Sequence, residues 1–248
     1  MAKRPQHLDD IFGDWPYEFG DVAARKVRGR DGRAVLQLRL DMGLLQMEAD
    51  GRPDGARPEG FSTYYDYLLA LAFEEGEKFE LDEARCVEID REFVQFYHRR
   101  ICWMALRDFR RAVADAEHTL ALMDFSSAHA PEDEWAEMHE QYRPFVIFHH
   151  TQAAALAEVD DLHPEKAVEV IESGLGRMQA AFARQEMDEE FDDDELVVKL
   201  REMKDALANH YELEPPLTEQ LDEAVAQEQY ELAAEIRDRI ARHSKRKV

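Results

Sequence analysis

Cysteine is nearly missing from this chain. Its 248 residues include only Cys86 and Cys102, too few and too isolated for a disulfide framework or a zinc knuckle. Cys102 sits among Ile101, Trp103 and Met104, a setting that predicts a buried structural thiol. Long apolar runs are missing too: no stretch is long enough to cross a bilayer. None follows Lys3 and Arg4 as a signal peptide requires, so a cytoplasmic protein is expected. Positive charge is scarce, with 31 Lys and Arg against 55 Asp and Glu and a formal net charge of −24. A surface so negative repels phosphate backbones and anionic lipid, which disfavours nucleic acid and membrane as direct ligands. The sequence also lacks a Gly-rich phosphate loop with a following Lys-Ser/Thr, a Gly-x-Ser-x-Gly elbow, a His-Glu-x-x-His pair and a Cys-x-x-Cys pair. A non-enzymatic protein without a cofactor is the expectation.

What the chain does have is patterning. The first dozen residues are polar and read as loose. From Val22 to Glu48 short alternating runs flank Asp31-Gly32, a hairpin signal. Val35, Gln37 and Arg39 alternate with Leu36, Leu38 and Leu40 along the second strand, so one face is expected buried and one wet. Gly43 marks a bulge or bend before Leu44–Met47 continues as a third strand. A sheet this small needs helices to lean on.

Helical spacing begins at Phe61 and runs through Tyr64, Tyr65, Leu68, Leu69 and Ala72. Asp82 reads as the N-cap of a longer helix whose stripe is Phe93, Tyr97, Ile101 and Met104. The run Leu106–Leu122 resembles the second half of a tetratricopeptide repeat, and a looser echo covers Phe145–Val159 and Pro164–Phe182. An ordinary helical bundle accounts for the same periodicity. Met187–Glu195 is acidic and reads as a solvated linker leading into a helix with Leu196, Leu200, Met203 and Leu207 on one face. Pro215-Pro216 then stops the chain. The expected organisation is an N-terminal extension with a small β-meander (1–60), a helical repeat-like body (61–186), an acidic linker and helix (187–216) and a terminal hairpin (217–248). The fold class is mainly α, with a small antiparallel meander packed on the helical body.

Histidines supply the only other candidate chemistry. A metal-dependent hydrolase would draw on His139, His149, Asp160, Asp161 and His163. Against this, the adjacent His149 and His150 point about 100° apart on a helix, and no metal is assigned. His98 reads as a satisfied core or rim residue. The acidic run lacks the spaced ligands and central Gly of a calcium loop. An acidic mimic of nucleic acid is a third reading of the charge.

The tail carries the sharpest signal. Leu221, Ala224 and Val225 share one side of a first short helix; Leu232, Ile236 and Ile240 recur every four residues along a second, widened by Tyr230, Ala233 and Ala234. Two short helices bury little core alone, so the segment reads as a docking element. Tyr230-Glu231-x-Ala233-Ala234-x-Ile236-Arg237-Asp238-x-Ile240, preceded by Leu221-x-x-Ala224-Val225, resembles the UVR motif. That motif joins the UvrB and UvrC subunits of bacterial excision repair and occurs in Clp-type ATPases and their adaptors. The resemblance implies a protein partner or a homodimer reached through a four-helix bundle. Its binding residues would be Leu221, Val225, Tyr230, Glu231, Ala233, Ala234, Ile236, Arg237, Asp238 and Ile240. The basic end, with Arg237, Arg239, Arg242, Lys245, Arg246 and Lys247, contrasts with the acidic body.

Overall fold

The structure, a computed structural model, describes residues 8–213 and 217–244. Asp31-Gly32 does turn the chain. Gly32 takes φ +87° and Gly29 N–H donates to the Arg33 carbonyl at 2.8 Å, closing the loop between β1 (Ala24–Arg28) and β2 (Ala34–Leu40). β3 (Gly43–Glu48) follows, and the antiparallel order is β1-β2-β3. Gly43 is not a bulge: it pairs with Leu40 across a two-residue turn, and the register runs unbroken to Val35 against Glu48.

The alternation on β2 needs correcting. Both faces of the strand bury residues, Leu36 and Leu38 on one and Val35 and Arg39 on the other, while Leu40 is exposed, so neither face is simply wet. The cover of Arg39 comes from the N-terminal segment. Residues 8–12 form a short helix, α1 (Leu8–Phe12), and are not loose. The Arg39 guanidinium lies 3.9 Å from the Phe12 ring centre and donates to the carbonyls of Trp15 (3.2 Å) and Gly43 (2.8 Å). Arg25 stacks on the Trp15 ring at 4.1 Å. Arginine stems and aromatic rings thus close the outer face, where cation–π contacts replace part of the lost hydration.

The inner face packs on helices. Leu36, Leu38, Met47 and Ala49 share a core with Cys102, Trp103, Phe109, Ala112 and Ala153. Those residues come from α3 (Glu83–Ala105), α4 (Phe109–His129) and α6 (Arg143–Asp160). Asp82 caps α3, its carboxylate accepting from Arg85 N–H at 2.8 Å. Thr63 caps α2 (Tyr64–Glu75), so that helix opens after Phe61. Two antiparallel pairs follow, α3 with α4 and α6 with α7 (Pro164–Arg184), bridged by α5 (Asp133–Glu140) and stacked in chain order. At the crossing of α6 and α7 only glycine fits: a Cβ on Gly174 would lie 2.2 Å from the Thr151 hydroxyl.

The acidic run folds as a tight 3₁₀ turn, Asp188–Asp193, anchored by buried Phe191. Asp194 caps α8 (Glu195–His210), accepting from Leu196 and Val197 N–H. Phe191, Val197 and Leu200 belong to the same core as Ile171, Met178 and Phe182 of α7. Residues 214–216, with Pro215-Pro216, lie outside the described residues.

Helix ends repeat one device. Arg107, Leu162, Glu186 and Glu212 adopt positive φ. In each case the next residue's N–H reaches back five positions, as in Asp108 to Trp103 (2.9 Å) and His163 to Glu158 (2.9 Å). This is the Schellman ending, which glycine enters without strain and L-residues enter at a cost of about 1 kcal/mol. Leu162 is 84% exposed at φ +64°. Leu162→Gly should therefore raise stability by about 0.5–1 kcal/mol, read as a higher midpoint in urea with an unchanged slope.

Candidate functional site

Two places concentrate polar or unpartnered groups: a charged seam inside the body and the terminal hairpin. The seam lies on α3. Its buried face carries Ile89, Glu92, Phe96, Arg99, Arg100 and Trp103, so the expected stripe of Phe93, Tyr97, Ile101 and Met104 is rotated toward the rim. Glu92 is fully buried. Its carboxylate accepts from the N–H groups of Tyr64 (2.7 Å) and Tyr65 (3.0 Å) and lies 2.9 Å from His118 Nε2. A carboxylate at a helix start meets both the free N–H groups and the positive end of the dipole. Arg99 forms a two-pronged pair with Asp115 (2.7 and 2.9 Å) and donates to the Gly51 carbonyl at 2.6 Å. Helices α3 and α4 and the loop after β3 are clamped together by these groups. Every one of these groups has a protein partner, so the seam is a structural lock.

Arg100 is buried beside His149 and Thr119, donating to His149 Nδ1 at 3.2 Å and to the Thr119 hydroxyl at 3.1 Å. Burial lowers the Arg100 pKa to about 10. Burial, then the Arg100 charge, lowers that of His149 to about 4. An Nδ1 that accepts from arginine places the ring proton on Nε2. His149 is therefore neutral in the fold, whereas in the unfolded chain it takes a proton near pH 6.5. The unfolded state binds more protons between those two values, so stability is full above about pH 6.5 and falls as pH drops toward 4. The loss should reach about 2–3 kcal/mol at the lower end, and His149→Gln should flatten that part of a pH series of urea midpoints.

The suspected metal group is not assembled. His139 bonds Asp90 (2.8 Å) and the Trp135 carbonyl. His163 lies by Glu158, while Asp160 and Asp161 pair with Arg107 and Arg110. His149 is occupied by a cation. Among the described residues no three His, Cys, Asp or Glu side chains converge on a common point. His98 bonds the Val94 carbonyl of its own helix. Cys102 is buried, its thiol pushed up to about 12 by desolvation.

The hairpin comprises α9 (Leu217–Ala226) and α10 (Tyr230–Ser244). Glu228 makes the turn at φ +58°, and Gln229 N–H closes it on the Ala224 carbonyl at 2.7 Å, the same ending as in the body. Ala224, Ala233 and Ile236, with Leu221 against them, form the whole buried cluster of the pair among the described residues. No described residue of the body joins it. Small alanines let the two backbones approach, and Ile236, 2% exposed, fills the space between. With about 100° of turn per residue, Tyr230 and Leu232 flank that inner stripe on either side. They are 67% and 45% exposed, and Val225 on α9 is 50% exposed. Glu228, Glu231 and Glu235 rim a shallow concavity that holds Tyr230 and Leu232. Ala234 is half-buried, Glu231, Arg237 and Asp238 are exposed, and the Ile240 side chain lies outside the described residues.

Residues 215–245 match the UVR family model, the UvrB/uvrC motif. No curated protein and no solved structure matched the chain. The UVR match stops at the hairpin, and the tetratricopeptide-like reading of the body gains no support from it. Within the UVR segment the sequence pattern placed the apolar residues on one ridge. The structure divides them, with Ile236 and Ala233 turned inward and Val225, Tyr230 and Leu232 left in solvent. The acidic rim of Glu228 and Glu235 was not singled out, although its spacing around Tyr230 and Leu232 is visible in the sequence. No helix of the described residues is long and apolar enough to cross a membrane.

Proposed function

We propose that this chain is a non-enzymatic adaptor whose UVR hairpin docks a helical partner, either a like hairpin on a second copy or a UVR-bearing subunit of an excision-repair or Clp-type system. One observation carries the reading: among the described residues the hairpin closes a core of four and still leaves Val225, Tyr230 and Leu232 in water. Apolar area of this kind on a two-helix unit is covered most simply by a second helical pair, giving a four-helix bundle. The exposed Arg237, Asp238 and Glu231 are placed to set register and partner choice by charge. The helical body is then the cargo- or protomer-holding part of the adaptor.

Sedimentation of the full chain, alone and mixed with a purified UVR-bearing subunit, tests this. The reading expects a concentration-dependent complex that Tyr230→Glu combined with Leu232→Glu removes. Complexes that survive the double substitution unchanged would overturn it.

A further inference from the structure

Where α6 begins and α7 ends, a cleft of about 470 Å³ opens against the acidic turn. Its floor is apolar: Pro144 and Phe145 from α6, Met187 after α7 and Leu196 from α8, all half-buried. Its rim is acidic. Glu189, Glu190 and Asp193 stand exposed along one lip, and none has an ion-pair partner among the described residues. Asp192 and Asp194, by contrast, are engaged by Arg201 and by the α8 cap. An apolar floor within a charged rim has the anatomy of a peptide-docking surface, and the charge specifies a cationic occupant carrying apolar side chains.

Two stretches of this chain are strongly basic, and the first, residues 25–33, is already folded into the β1–β2 hairpin, which leaves the second as the occupant. Residues 237–248 read Arg-Asp-Arg-Ile-Ala-Arg-His-Ser-Lys-Arg-Lys-Val, where Ile240 and Val248 punctuate the positive charge. We propose that the cleft receives this basic C-terminal segment from a second copy of the chain. The second copy is favoured over the same chain by connectivity. α8 starts at the cleft and carries the chain roughly 24 Å away over its length. α10 pairs with α9 in the hairpin that follows, so along its own chain the basic stretch is separated from the cleft by the whole of α8 and a closed helical pair. Another molecule has no such tether. The proposal does not use Val225, Tyr230 or Leu232, while Arg237, Asp238 and Ile240 are shared with UVR docking; the cleft reversals leave the whole hairpin unchanged and so test the cleft apart from that docking.

The test titrates a fluorescent peptide of residues 237–248 with the full chain. Glu189→Lys, Glu190→Lys and Asp193→Lys are combined in one variant. Glu74→Lys, Glu77→Lys and Glu80→Lys, exposed acids near the end of α2, give a control with the same change in net charge. Saturable binding is expected, at least about tenfold weaker to the cleft variant and within about twofold of wild type for the control. A peptide with Ser at Ile240 and Val248 should also bind more weakly, because the floor loses its apolar contacts. Absence of saturable binding, or equal weakening by both variants, would overturn the proposal, since attraction would then follow overall acidity alone. Sedimentation of the full chain supplies the second arm. Self-association reduced by the cleft reversals supports the second copy, and identical profiles with and without them reject it.

Discussion

Asp115→Ala should cost the fold about 3–5 kcal/mol, the largest loss expected from one substitution in the body. Asp115 neutralises Arg99 through two prongs in a buried position, and Arg99 also holds the Gly51 carbonyl. Replacing the pair by two apolar residues of similar shape would cost far less. Removing only the carboxylate leaves a buried guanidinium with backbone carbonyls and the Phe96 ring but no counter-charge, and that desolvation is the penalty. Domains of this size lie about 5–15 kcal/mol below their unfolded states, so the loss consumes a large share. It corresponds to a fall of about 10 °C in melting temperature. Asp115→Asn keeps an acceptor at the site and should lose less. A urea series that places Asp115→Ala within 1 kcal/mol of wild type would show that the clamp contributes little.

That clamp also marks where the sequence stopped being legible. Asp31-Gly32, the N-cap Asp82 and Pro164 at a helix start announce themselves because turn and cap chemistry is local. The three strands and the helical body follow from such signals together with periodicity. Glu92, Arg99, Arg100 and Asp115 announce nothing. Their burial depends on partners between 16 and 49 positions away, or on the N–H groups of a helix start elsewhere in the chain. A pattern that treats charge as exposure therefore turned α3 toward the wrong face. The second buried face of β2 escaped notice for a related reason. The cover of Arg39 is an aromatic-rich segment without regular period, whose Phe12 and Trp15 gain meaning only once the sheet exists. The acidic turn shows the same limit: five carboxylates in six positions hide the single Phe191 that pins it to the core. In the hairpin the family pattern located the element, while only the geometry separated residues that hold it together from residues available to a partner.

That separation gives the second large effect. Ile236→Asp and the pair Tyr230→Glu with Leu232→Glu should both abolish docking, but for different reasons with different signatures. Ile236 sits inside a cluster of four residues, and a buried carboxylate there has no partner, so the hairpin should lose its helicity outright. The body should melt at its former temperature, because no described body residue joins that cluster. Tyr230 and Leu232 are exposed, so their replacement by glutamate leaves α10 folded. Covering the two apolar side chains is worth about 2–3 kcal/mol per hairpin, which corresponds to roughly a hundredfold in affinity. Circular dichroism separates the two cases: unchanged helicity with lost association for the pair, lost helicity with lost association for Ile236→Asp. If the pair binds as wild type does, the exposed flanks are not the docking surface. If Ile236→Asp keeps its hairpin helicity, the inner seam assigned to Ala224, Ala233 and Ile236 is wrong.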